Sequence, residues 1–300
     1  MPSWRFGALL VLAIAGIVAV TIWFFPTTTD FESSNPFWNG LDDLAAEFDA
    51  TPVESMSDLP RQPRGSVLLV IPNAEPREAD LERLTAYLEE GGVVLLADDY
   101  GHGNAVLEAF GISTRFSGAP LLDLLFNYRT SYFPLATGIV ETPLTEGIES
   151  LALNYSTILE GTDLTIAARS STFSYLDLNN DGKPQADEPL GPFPLAGYAV
   201  VGKGRLVVVS DPSIFINGML EAGDNSQFFG NVVDLAGSSP DVLIDRVHLE
   251  DSRLDGAKSA LTSTRSVAAK PGVLAALAGI LTVLLVLPAL RKKGAAVGTD

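Results

Sequence analysis

The sequence predicts an α/β domain, a mainly parallel sheet flanked by helices, with one transmembrane helix at each end. Three observations carry this. Two uncharged stretches, residues 6–25 and 272–290, stand near the ends of the 300-residue chain. Between them, short runs that are apolar at every position alternate with stretches of helical spacing. Strands apolar on both faces and separated by helices are the pattern of a largely parallel sheet.

The first span comes first in order. About 20 apolar residues rising ~1.5 Å each cross the ~30 Å hydrocarbon core of a bilayer. The run ends in Trp23, Phe24, Phe25 and Pro26, an aromatic belt rather than a small-residue cleavage site. Residues 1–26 therefore read as a retained anchor. At the other end, Arg291, Lys292 and Lys293 follow the second span directly. With Arg5 ahead of the first span, the positive-inside rule places both termini in the cytoplasm. The expected layout is an extracytoplasmic domain at 27–250, a stalk at 251–270, a second span at 271–293 and a cytoplasmic tail at 294–300. That makes a two-pass protein of the cell membrane.

Inside the domain, a helix is expected at about 38–48. Residues 66–71 (SVLLVI) read as a buried strand closed by Pro72 and Asn73. Pro76 suits a first helical turn, and Leu81, Leu84 and Leu88 share one face until Gly91 and Gly92 stop the helix. Residues 93–97 (VVLLA) form the next strand, and a short helix at about 104–110 ends at Gly111. The segment 113–192 is less regular and reads as an insertion at the mouth of the sheet, with a small helix near 120–126 and strand-like pieces at 150–174. A strand at 205–210, a helix at about 227–235 and a strand-like run at 241–247 complete the domain.

Composition narrows function. The chain holds 37 acidic and 19 basic residues, net −18, and every acidic residue except Asp300 lies between the two spans. There is no basic surplus to neutralise phosphates, so nucleic acid is not an expected partner. The charge suits a solvated surface rather than one lying flat on anionic lipid. The absence of cysteine removes disulfides, thiolate metal sites and cysteine nucleophiles. His102 and His248 are the only two histidines, which excludes a His-rich metal site and limits any Ser-His-Asp triad to two bases. No G-x-S-x-G elbow is present.

Ligands of open parallel sheets bind beyond the carboxyl ends of the strands. Two such ends are polar here: Asp98, Asp99, His102 and Asn104 after one strand, Ser210 and Asp211 after another. Together with Asn217 and Asn225 they are candidates for one ligand pocket. The competing reading is that Asp98, Asn104 and Asp211 cap helices and turns. The sharpest motif is residues 177–188, DLNNDGKPQADE, which fits the calcium-loop pattern D-x-[DN]-x-[DN]-G-x₅-E in full. Asp177, Asn179, Asp181, the Lys183 carbonyl and Glu188 would ligate Ca²⁺, with Gln185 reaching it through water. Strand-like residues 173–176 before it, and Pro189 and Pro192 after it, exclude a paired EF-hand. A structural ion pinning the insertion is expected; the competing reading is a metal-free hairpin. Asn154-Tyr155-Ser156 is an N-x-[ST] sequon, too short a signal to assign glycosylation.

Residues 33–40 (SSNPFWNG), 91–98 (GGVVLLAD), 143–147 (PLTEG) and 204–217 (GRLVVVSDPSIFIN), followed by Asp224 and Asn225, resemble the domain-of-unknown-function family number 4350. Members of that family are membrane-anchored and similar to the auxiliary component of gliding-motility ABC transporters. The resemblance covers most of residues 30–237 and implies a fold like class I glutamine amidotransferases. Relatives of that fold that are enzymes use a cysteine nucleophile, which this chain lacks. The expected function is a non-catalytic extracytoplasmic module binding a polar ligand or a membrane-protein partner in an envelope or transporter-like complex. The alternatives are a hydrolase of cell-envelope polymers and a purely structural membrane-complex subunit.

Overall fold

The computed structural model describes residues 3–268 and divides into two compact units. One contains helices α1 (Ser3–Phe24) and α6 (Arg253–Ala268); the other comprises residues 26–252. From Leu10 to Phe24, α1 turns apolar side chains outward on all sides, with Val11, Leu12, Ile17 and Phe24 each more than 60% exposed. Among the described residues no helix is long and apolar enough to cross a membrane. The second expected span, at 271–293, and the tail at 294–300 lie outside the described residues. Part of the expected stalk is helical, as α6.

The larger unit is built in chain order from α2 (Asp42–Glu47), β1 (Thr51–Val53), β2 (Ser66–Val70), α3 (Glu78–Glu89), β3 (Val93–Ala97), α4 (Gly103–Ala109), β4 (Arg115–Phe116) and β5 (Leu121–Asp123). There follow β6 (Leu135–Ile139), β7 (Leu151–Ala152), β8 (Leu159–Glu160), β9 (Thr165–Ser170), β10 (Ser174–Leu176), β11 (Pro194–Val201), β12 (Gly204–Val209), α5 (Asn225–Asp234) and β13 (Asp241–Asp245). Nine strands make one sheet in the order β1-β13-β2-β3-β12-β11-β9-β6-β7. From β1 to β12 neighbours pair parallel; from β12 to β7 they pair antiparallel.

Alternation along the central strands sends side chains into two cores. Leu69, Leu95, Val207 and Val209 pack with Leu44 of α2 and Phe228, Phe229 and Val232 of α5. Leu68, Val70, Leu96 and Val208 pack with Leu84 and Leu88 of α3 and Val106 and Leu107 of α4. Most of these side chains are wholly buried, each worth about 1.5–3 kcal/mol over exposure. That double burial is why these strands read as unbroken apolar runs.

Three expectations change. The sheet is mixed rather than mainly parallel, because β11 joins β12 antiparallel and segment 113–192 adds β9, β6 and β7 beyond it. These strands are rich in Ala, Gly, Ser and Thr and are buried irregularly, so they lack the apolar run that marks the parallel half. Residues 121–123 form a strand paired with β10, not a helix. The helix expected at 38–48 is confined to Asp42–Glu47, because the side chain of Asn217 accepts from the Asp43 N–H (3.0 Å) and donates to the carbonyls of Asn35 (3.0 Å) and Phe37 (2.7 Å), holding the preceding turn open.

The two ends of this unit meet. The Thr28 hydroxyl donates to Ser252 Oγ (2.9 Å) and the Ser252 N–H to Thr29 Oγ1 (2.9 Å). Arg246 bridges Glu32 and Asp251. Entry and exit of the chain are therefore side by side.

Candidate functional site

β3 and β12 are adjacent and parallel, with Ala97 opposite Val209, so both polar strand ends open on the same edge. The structure brings Asp98, Asp99 and Asp211 together there. Asp98 is buried and its two oxygens accept from the N–H groups of Gly101 (2.9 Å) and Gly103 (2.7 Å), turning the chain into α4. Burial raises its pKa, and these N–H groups oppose the shift. Asp211 is fully buried and accepts from the N–H groups of Ser213 (2.7 Å) and Asn154 (2.6 Å). Burial first, then the charge of Asp99, pushes its pKa well up. Asp99 is half-buried at the cavity wall; burial and then the charge of Asp98 raise it to about 6.

The other expected site residues hold the framework. Asn104 makes a two-way bond with the Phe116 backbone (2.8 and 3.0 Å). Asn225 accepts from the Ala152 N–H (3.1 Å) and donates to the carbonyls of Ala152 and Met219 (both 2.9 Å). Asn217 ties the turn before α2, as above. Ser210 is buried beside the site with no partner for its hydroxyl among the described residues. The His102 N–H donates to the Pro72 carbonyl (2.9 Å), and neither histidine lines the cavity.

The cavity itself, about 420 Å³, is lined by Asp99, Tyr100 and Ser213 from these strand ends, Asp30, Phe31, Trp38 and Asn39 from the N-terminal loop, and Phe133, Asn154 and Tyr155 from the inserted segment. Trp38 is 69% exposed and Tyr155 51%, so flat aromatic faces stand open to solvent. Asn39 donates to Asp30, fixing that carboxylate. A second cavity of about 510 Å³ shares Tyr100 and Tyr155 and adds Tyr132, Asp177 and Asn180. Tyr132 stacks on Tyr155 at 4.8 Å. The aromatic wall is what sequence reasoning missed. Trp38 sits inside a quoted motif and Tyr100 directly after the Asp98-Asp99 pair, but Tyr132, Phe133 and Tyr155 come from the insertion and carry no periodic signal.

The 177–188 loop is folded around its own backbone. Asp177 accepts from the N–H groups of Asp181 (3.1 Å) and Gly182 (2.8 Å), and Glu188 accepts from those of Leu178 and Gln185 (both 3.0 Å). Among the described residues no three acidic or histidine side chains are gathered closely enough to form a metal-binding group.

Fold and site together define a mixed-sheet α/β domain with an acidic, aromatic cavity at the carboxyl ends of its parallel strands. The chain belongs to the DUF4350 family, described as a domain of unknown function, whose model matches residues 33–233. No curated protein matches the sequence. Among solved structures, the "mmIFT52 N-terminal domain" is 18% identical, covering 56% of this chain and 76% of its own, with a TM-score of 0.44. The β-galactosidase of Bacillus circulans sp. alkalophilus is 12% identical over 58% of this chain and 23% of its own, at 0.36. The exo-β-1,4-mannosidase of Opitutaceae bacterium strain TAV5 is 16% identical over 58% and 24%, at 0.29. The chain thus spans about a quarter of either glycosidase, and likenesses this weak say nothing of function.

Proposed function

We propose that this chain is a membrane-anchored, extracytoplasmic, non-catalytic module whose cavity holds a polar ligand, or a polar segment of a membrane-protein partner in an envelope or transporter-like complex. The cavity at the ends of β3 and β12 carries the reading. Its lining includes the carboxylates of Asp30 and Asp99 and neither lysine nor arginine, so an anionic ligand would meet only repulsion. Trp38, Tyr100 and Tyr155 offer ring faces that attract either an apolar face or a cation. The ligand is therefore uncharged or cationic, with hydroxyl or N–H donors for the carboxylates.

The test is calorimetry of the full chain in detergent with cellotetraose, benzyltrimethylammonium and citrate. One of the first two should bind saturably, and Trp38→Ala should weaken that binding tenfold or more, about 1.4 kcal/mol. Saturable binding of citrate alone, or of none of the three, would overturn the reading.

Anchoring rests on the outward apolar side chains of α1 and on the uncharged stretch at 272–290. A cysteine placed at exposed Ser238 should react with an impermeant thiol reagent in intact cells. Protection of that thiol would reverse the orientation.

A further inference from the structure

We infer that residues 177–188 bind one Ca²⁺ and that this ion fixes the wall of the second cavity. The inference stands on the loop itself and does not depend on what the first cavity holds.

The loop follows β10, whose last residue is Leu176, and supplies three carboxylates, of Asp177, Asp181 and Glu188, with the Asn179 amide and the Lys183 carbonyl. Spacing at positions 1, 3, 5, 7 and 12 is that of an oxygen cage for Ca²⁺. Each carboxylate already accepts N–H groups from inside the loop: Asp181 accepts from the Lys183 N–H at 2.9 Å and from the Gln185 amide at 2.9 Å. These bonds wind the loop without a base for each acid; Asp177 and Glu188 are buried and Asp181 is exposed, so the ion would draw the three carboxylates together. The loop's one lysine, Lys183, has no ion pair among the described residues.

An independent observation lies beneath the loop. Tyr175 is 1% exposed and its hydroxyl has no hydrogen-bond partner among the described residues. Its strand holds both ends of the loop together: the Leu176 N–H donates to the Pro189 carbonyl (3.1 Å), and Tyr175 forms a bridge with Leu190. A buried hydroxyl left unpaired is costly, because it has given up water for no partner. The water shell of a bound cation would give it a partner, since Ca²⁺ keeps some of its waters in protein sites.

The loop also meets the cavity wall. A Cβ at Gly182, where φ is +72°, would lie 2.6 Å from the Tyr132 hydroxyl, so this ring and the loop turn are in close contact. Tyr132 in turn stacks on Tyr155. Asp177 and Asn180 line the second cavity beside these rings. Ordering the loop therefore orders the aromatic wall.

The experiment uses the full chain in detergent. Calcium titrated by calorimetry should show one site, and millimolar calcium should raise the melting temperature by several degrees over chelator, as expected for a ligand at a hundredfold excess over its Kd. Magnesium at equal concentration should give a much smaller rise, because it resists losing its waters. Asp181→Ala should erase the calcium effect. If that variant does not fold, Tb³⁺ luminescence sensitised by the neighbouring tyrosines of the wild-type chain, displaced by Ca²⁺, reads the same site. An equal rise with magnesium would mark screening of the acidic surface, and with it the inference fails. Absence of both calcium heat and displaceable terbium emission on folded protein would also overturn it.

Discussion

His248→Ala is expected to destabilise the domain by about 3–5 kcal/mol, the cost of leaving buried charges without their partner. The imidazole is 2% exposed; Nδ1 lies 2.5 Å from Asp245 and Nε2 lies 3.7 Å from Asp80. Asp80 is held in turn by Arg77 at 2.7 Å. Burial by itself would lower the His248 pKa, but the hydrogen bond to Asp245 and the charges of Asp245 and Asp80 outweigh it, and the net shift is upward. The Arg77 hydrogen bond is the main reason the Asp80 pKa falls, with the charges of Arg77 and His248 adding to it against burial. The sign follows from linkage: a raised imidazole pKa stabilises fully below about 6.5, and the contribution fades as pH rises through the folded value. Denaturant unfolding at pH 6 and pH 9 should show wild type losing stability across that interval, with His248→Gln changing far less. Equal slopes for the two proteins would mean that His248 is neutral in the fold at both pH values.

Gly204→Ala is expected to cost about 3 kcal/mol or more, at the upper end of overpacking. A Cβ there would stand 2.0 Å from the Leu88 carbonyl oxygen and 2.5 Å from that of Gly92, both main-chain atoms that no rotamer change can move. The position begins β12, opposite Val201 in the hairpin with β11, and the Arg205 N–H that follows donates to the Gly92 carbonyl (3.2 Å). The end of α3 therefore lies directly against the turn that starts the central strand. Urea unfolding should show a lower midpoint with the slope unchanged. A midpoint within 0.2 M of wild type, on the order of 0.5 kcal/mol for a slope of 1–3 kcal/mol per M, would mean that the backbone yields freely at this contact. This explains the glycines in two of the motifs that carry the family resemblance. They sit at the end of the sheet opposite the cavity and serve packing, whereas the Asp98 and Asp211 ends of the same motifs reach the site.

Those two motifs show how much of the site was legible. A strand apolar at every position ending in Asp98-Asp99, and another ending in Ser210-Asp211, suffice to place carboxylates at the ends of strands in the parallel half. Whether those strands are neighbours is a matter of sheet order, and it was fixed by β12 pairing with β3 across more than 100 residues of chain. The capping role of Asp98 and Asp211 was one of the two readings open from residue type, and the hydrogen bonds show that both are caps as well as neighbours of the cavity. Asn217 and Asn225 read as pocket residues because an amide that binds backbone and one that binds ligand look alike in a sequence.

By itself the sequence determined the parallel half of the sheet, the helices on its faces, the acidic character and the family. Each of these is written in local periodicity or composition, which the chain carries wherever it folds. Only the tertiary structure decided that residues 113–192 extend the sheet, because β6, β7 and β9 gain their burial from neighbours rather than from an apolar run. It alone assembled the aromatic wall, since Trp38, Tyr100, Phe133 and Tyr155 come from three separate stretches whose meeting depends on long-range pairing. It alone placed His248 between two carboxylates: a histidine after the last strand carries no local sign of Asp80, which reaches it from a helix more than 160 residues earlier.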